Sequence, residues 1–256
     1  MLDDGSFTDE EFNEARSYVL KQMVAPKQLR PAEAPRAILL GGQSGAGKTM
    51  LQRMCYNAFK GDVIVINGDE YRALHPRYDD LNRLYGSACV SYTAAWAARM
   101  TEECIDLLSR IGYNLVVEGT LRTVEVPLRS ATLLRGRGYE VELAVMAVKP
   151  EISRLSCEIR FEQMRLAGMA PRATDPAHHD RIVQAIVANL DELEKSDVFS
   201  AVRLYTRAGD CIFPDWGKHT SASAALADVL LGPWSFQESL HYRFLQDTLA
   251  RLKAAR

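Results

Sequence analysis

No apolar run in this chain approaches the roughly 20 residues needed to cross a bilayer, so no membrane-spanning helix is expected. A dominant charge is missing as well. The formal net charge of −2 over 256 residues argues against a nucleic-acid binder working through a basic surface. Cysteine is sparse and unpatterned: Cys55, Cys89, Cys104, Cys157 and Cys211 are odd in number, widely scattered and never in C-x-x-C. That excludes a disulfide framework or a zinc site, and they read as reduced packing residues of a cytoplasmic protein. The N-terminal MLDDGSFTDEEF is acidic and has no apolar core segment, so no signal peptide is expected. Internal repeats, low-complexity tracts and a dividing linker are also lacking. The remainder, 47% hydrophobic and 25% charged, is the composition of an ordinary soluble globular protein able to bury a sizeable core.

Against these absences one stretch stands out. Gly42-Gln43-Ser44-Gly45-Ala46-Gly47-Lys48-Thr49 fits the P-loop pattern G-x-x-x-x-G-K-[ST]. It lies between an apolar run, Ala37 to Leu40, that reads as a buried strand, and a segment, Met50 to Phe59, that continues as a helix. The glycines let successive N–H groups curl around phosphate oxygens at the positive end of that helix. Lys48 is expected on the β- and γ-phosphates and the Thr49 hydroxyl on Mg²⁺. The chain is therefore expected to bind ATP or a related nucleoside triphosphate.

The rest of the chain alternates strands and helices. Thr8-Asp9-Glu10-Glu11 forms a capping box, with Phe7 and Phe12 at the staple positions, for a helix running to about Met23. Pro26, Pro31 and Pro35 then make an extended connection. Strands are predicted at 62–67, 114–118, 139–148 and 202–205, with helices at about 92–110, 124–137, 150–166, 176–195, 221–231 and 235–254. This alternation predicts an α/β fold, P-loop NTPase/kinase-like, with a parallel sheet covered by helices on both faces. One domain is expected over 1–256: an N-terminal helix and proline-rich connection (1–36), a core (37–232) and a C-terminal helix (233–256).

Sites in open parallel sheets form at the carboxyl ends of strands, which selects Asp69, Glu70, Glu118, Thr120 and Lys149. Asp69 follows Lys48 by 21 residues, directly beyond the second strand. An acid there sits beside the γ-phosphate, where it can take the proton of an attacking hydroxyl; a helix-capping carboxylate is the plainer reading. Glu118 and Thr120 alternate by two and so project to one side. Either a magnesium-water or substrate-holding role, or a helix cap, fits Glu118. Phosphoryl transfer calls for added cations, and Arg160 and Arg172 are the candidates. Arg160 shares a helical face with Cys157 and Met164, and Arg172 lies in a Gly/Pro loop. Arg154, Arg165 and Arg181 read as surface residues pairing with nearby acids. His75, His178 and His179 lack partners at ligand spacing, and HH at a helix start is read as solvated. Tyr71, Tyr78, Tyr85 and Tyr92 are read mostly as ordinary packing residues and not as a helical stripe.

GGQSGAGKT, INGDEYRALHPRY, RMTEECIDLLSRIGYNLVVEGTLRT, KPEISRLSCEIRFEQM and PRATDPAHHD, in that order, closely resemble the zeta toxin family over roughly Ala37 to Tyr205. The resemblance implies a cytoplasmic toxin kinase that moves the ATP γ-phosphate to the 3′-hydroxyl of UDP-N-acetylglucosamine and blocks early peptidoglycan synthesis. It implies Lys48 and Thr49 as phosphate and Mg²⁺ residues and Asp69 as the base. It further implies Glu102, Glu118 and Thr120 as acceptor contacts, and Arg160 and Arg172 as γ-phosphate clamps. A small helical antitoxin whose helix blocks the ATP site is the implied partner; nucleic acid and membrane are not. Two other readings stand beside it. One is a kinase of the same build acting on another UDP-sugar, a nucleoside or an antibiotic. The other is a nucleotide switch, against which Glu194-Lys195-Ser196-Asp197 misses the N-K-x-D guanine motif at its first position.

Overall fold

An apolar run within a parallel sheet is buried on both faces, because helices cover both sides. In the computed structural model, which describes residues 5–25, 29–169, 174–215 and 217–255, β1 (Arg36–Gly41) has this character, buried at every position after the first. It is preceded by α1 (Asp9–Val24) and followed by α2 (Lys48–Ala58), β2 (Ile64–Asn67) and the short helices α3 (Gly68–Tyr71), α4 (Tyr78–Tyr85) and α5 (Cys89–Tyr92). Next come α6 (Ala94–Ile111), β3 (Leu115–Glu118), α7 (Glu125–Arg135) and β4 (Glu140–Met146). The chain goes on through α8 (Pro150–Leu166), α9 (Pro176–Lys195), β5 (Ala201–Tyr205), β6 (Cys211–Phe213), α10 (Ala222–Leu231) and α11 (Phe236–Ala254).

The sheet order is β2-β3-β1-β4-β5-β6. The first five strands are parallel, and β6 runs antiparallel to β5. The parallel sheet is as expected, and the antiparallel β6 is an added strand that the sequence did not predict. Residues 206–209 close a tight turn, with Gly209 N donating to Thr206 O at 3.1 Å, and so short a link can only return the chain antiparallel. At three residues β6 is also too short to show a period.

Each face of the sheet carries an apolar layer. One gathers Trp96, Met100, Leu134 and Leu190 from α6, α7 and α9. The other gathers Leu51, Ile152 and Ile159 from α2 and α8 with Leu245 and Leu249 of α11. The C-terminal helix is thus bound along α8. At the other end of the chain, Thr8 and Glu11 close the capping box, Phe7 stacks on Phe12 at 5.8 Å, and Phe12 meets Trp96 edge-on at 5.2 Å. Arg99 lies 4.0 Å over the Phe12 ring, so α1 is fixed to α6 by apolar and cation–π contact.

Candidate phosphate-transfer site

The loop 42–47 leaves the carboxyl end of β1, the central strand, and turns into α2. Gly47 supplies the helix N-cap in a left-handed conformation (φ 99°), and no side chain caps the helix. No side-chain cap therefore competes with an anionic ligand for the start of α2. Gly45 (φ +77°) lies so close to α8 that a Cβ would stand 2.0 Å from Ser153 O and 2.8 Å from Cys157 Sγ. Only glycine fits there. Gln43, fully buried, donates from Nε2 to Val148 O at 2.8 Å and to Ser153 Oγ at 3.3 Å, which ties the loop to the end of β4 and the start of α8.

Lys48 folds back over this loop, and its Nζ donates to Gly42 O at 2.8 Å and Gln43 O at 3.3 Å. Burial pushes its amine below the usual lysine range; Glu118 and Asp69 act to raise it, and Arg160 acts to lower it. Glu118 Oε1 lies 3.8 Å from Lys48 Nζ, and Glu118 also accepts a bond from Gln52 of α2. Burial pushes the Glu118 carboxyl above its usual range, against the pull of Lys48 and with help from Asp69 and Glu70. Asp69 sits in the first turn of α3, exposed, with its N–H on Asn67 Oδ1 and its Oδ1 2.9 Å from Arg72 Nε. Its charge also acts on His178 at the start of α9.

The fold thus brings Asp69, Glu118 and Arg160, from three separate elements, to bear on Lys48. Thr120 follows β3 and is half-buried, and Thr49 is exposed in the first turn of α2 with an oxygen donor of the kind Mg²⁺ accepts. Arg160 is exposed and donates to Thr174 Oγ1 at 3.4 Å. Glu102 is exposed on α6 and pairs with Arg129 of α7. Arg172 lies outside the described residues. Arg154, Arg165 and Arg181 pair with Asp180, Glu162 and Asp175. His179, in contrast to the solvated pair expected, is buried, with Nε2 2.8 Å from Ser153 Oγ. Tyr85 and Tyr92 stack on each other at 4.2 Å. Of the cysteines only Cys211 is exposed.

Sequence reasoning missed three residues around the loop. Arg207, in the β5–β6 turn, donates to Gly45 O at 2.9 Å and Ser156 Oγ at 2.8 Å. No local signal marks it. Arg72 and Gln52 hold Asp69 and Glu118; their helical spacing from Asp69 and Lys48 was the available clue.

The phosphate cradle, buried lysine and sheet order define a P-loop α/β protein with a kinase-like fold. The zeta toxin family model matches residues 21–216. The chain is 42% identical over 230 residues to toxin PezT of Streptococcus pneumoniae, covering 90% of each. It is 41% identical over 205 residues to toxin zeta of Streptococcus pyogenes, covering 80% of this chain and 71% of that one. This chain belongs to the zeta toxin family. A solved structure from the PezAT chromosomal toxin–antitoxin system of S. pneumoniae matches at TM-score 0.88 and 38% identity, covering 99% of this chain and 100% of that chain. The AvrRxo1-ORF1:-ORF2 structure with ATP, at 15% identity and TM-score 0.56 over 95% of this chain and 87% of that chain, shares the fold.

Proposed function

We propose that this chain is a cytoplasmic kinase that transfers the γ-phosphate of ATP to the 3′-hydroxyl of UDP-N-acetylglucosamine, acting as the toxin of a toxin–antitoxin pair. The observation that carries the reading is the convergence of Asp69, Glu118 and Arg160 on Lys48 beside an uncapped helix start. A buried lysine that donates to its own loop carbonyls and lies 3.8 Å from Glu118, with Asp69 and Arg160 also acting on it, suits a site whose charges balance when a polyphosphate is bound.

In this reading the backbone N–H groups of residues 43–48 hold the phosphates, Lys48 turns from the carbonyls of Gly42 and Gln43 to phosphate oxygen, and Thr49 offers its hydroxyl to Mg²⁺. The metal, when bound, supplies charge neutralisation between the β- and γ-phosphates. Glu102, Glu118 and Thr120 hold the acceptor sugar. Asp69 accepts the proton of the sugar hydroxyl as its oxygen bonds to the γ-phosphorus and the bond to the ADP oxygen breaks. Arg72, 2.9 Å from Asp69 Oδ1, restrains the carboxylate. Arg160, with Arg172, stabilises charge on the phosphoryl oxygens in flight. A small helical antitoxin is the proposed partner, and residues 1–256 are read as one kinase domain with a helix at each end.

Purified protein incubated with ATP, Mg²⁺ and UDP-N-acetylglucosamine is expected to yield a sugar nucleotide heavier by one phosphoryl group. If that sugar nucleotide is unaltered while another metabolite is phosphorylated, the acceptor is a different small molecule. If no acceptor is phosphorylated and hydrolysis is slow and partner-dependent, the chain is a switch.

A further inference from the structure

The geometry points to Ser153 and His179 as positioning residues that set α8 against the phosphate cradle and thereby aim Arg160 at the phosphoryl group. A buried chain of hydrogen bonds connects three elements there. Gln43 in the loop donates to Ser153 Oγ at 3.3 Å, and Ser153 Oγ meets His179 Nε2 at 2.8 Å. His179 Nδ1 meets Asp180 Oδ1 at 3.1 Å, and Asp180 is ion-paired with Arg154, one residue past Ser153. Gln43, Ser153 and His179 are each at most 1% exposed. The Gln43 Nε2, Ser153 Oγ and His179 Nε2 atoms are engaged with one another, and a shift of α8 would leave the buried serine and histidine unpaired.

The helical repeat makes this arrangement matter for Arg160. Ser153, Cys157 and Arg160 are spaced i, i+4 and i+7, so they share one face of α8. That face lies on the loop: the backbone of Ser153 and the sulfur of Cys157 both close on Gly45, and Ser156 on its flank shares Arg207 with Gly45 O. A rotation of α8 about its axis would swing Arg160 away from the cradle while the apolar face, with Ile152 and Ile159, stayed covered by the sheet layer. Apolar packing is weakly directional and does not resist a small rotation; the Gln43–Ser153–His179 bonds do. His179 also anchors the start of α9, so the two helices flanking residues 167–175 are held to the loop together.

This inference rests on the reading of Arg160 as a γ-phosphate clamp, and its test is independent of the acceptor. ATP hydrolysis to water is measured in the full chain alongside transfer to UDP-N-acetylglucosamine, for His179→Leu, His179→Gln and Ser153→Ala, each alone and combined with Arg160→Ala. His179→Leu is expected to lower kcat about 10-fold or more, the scale of a sub-ångström to one-ångström misplacement, with KM for ATP within about twofold. His179→Gln retains a side-chain nitrogen able to reach Ser153 and is expected to recover most of the loss. In the Arg160→Ala background, His179→Leu is expected to cost less than about twofold, because the group it positions is gone. The same factor lost with and without Arg160, or an unchanged kcat in a folded His179→Leu, overturns the proposal. If a circular dichroism melt shows His179→Leu unfolded, Ser153→Ala decides under the same expectations. Should the sugar nucleotide remain unphosphorylated while coupling to Arg160 appears in ATP hydrolysis, the acceptor assignment fails and the positioning role stands.

Discussion

Buried charge gathers at both ends of β1 and β4, and the two gatherings are built for opposite purposes. At the amino end, Glu142 is 6% exposed and receives both Arg36, at 2.5 Å, and Arg203, while Arg36 also reaches Glu140 at 3.2 Å. The carboxylate there is matched by cations of this same chain. At the carboxyl end, burial pushes Lys48 down and Glu118 up, so each charge is held against its own preference. One end is satisfied by folding. The other, in the proposed function, is completed by a ligand, and its charges cost stability until one binds.

The sharpest way to break the comparison is Lys48→Ala. Phosphoryl transfer is expected to fall by about 10³-fold or more with no comparable loss of thermal stability. Equal losses in melting temperature and activity would make the two ends alike. Next is Asp69→Ala, expected to slow turnover by roughly 10²–10⁴-fold while ATP affinity, measured by calorimetry, changes only a few-fold. Retained turnover would demand another base.

At the opposite end, Glu142→Ala is expected to lower unfolding free energy by about 1.5–3 kcal/mol in urea titration with kcat nearly unchanged. The figure is held below that of a fully buried pair because Arg36 and Arg203 both reach water. A large fall in kcat would place this cluster in the chemistry instead.

The smallest expected effect is a pH-dependent one at Glu118. A carboxyl whose pKa is raised by folding binds its proton more tightly in the native state, so stability is fully present below about pH 4.5 and falls as pH rises through the native value. Glu118→Gln removes that loss. At pH 7 the variant is expected to melt higher than the parent while turning over more slowly, and the gap in melting temperature is expected to close as pH drops toward 4.5. A gap that widened in acid would mean that the ionised carboxylate stabilises the fold.

Much of this protein was determined by short stretches of its sequence. The P-loop, the Thr8–Glu11 capping box, and the proline-led starts of α8 and α9 follow from spacings within a few residues, where the backbone itself converts sequence distance into geometry. The alternation of strands and helices likewise foretold the parallel part of the sheet. What only the tertiary structure decided lies between distant residues. Arg207 reaches Gly45 across 162 positions, Gln43 reaches Ser153 across 110, and β6 turns back because only residues 206–210 link it to β5. His179 is buried, against the ordinary habit of a His-His pair at a helix start, because packing α9 onto α8 brings Ser153 to its ring. Such contacts depend on which helix lies over which strand, and no local propensity encodes that choice.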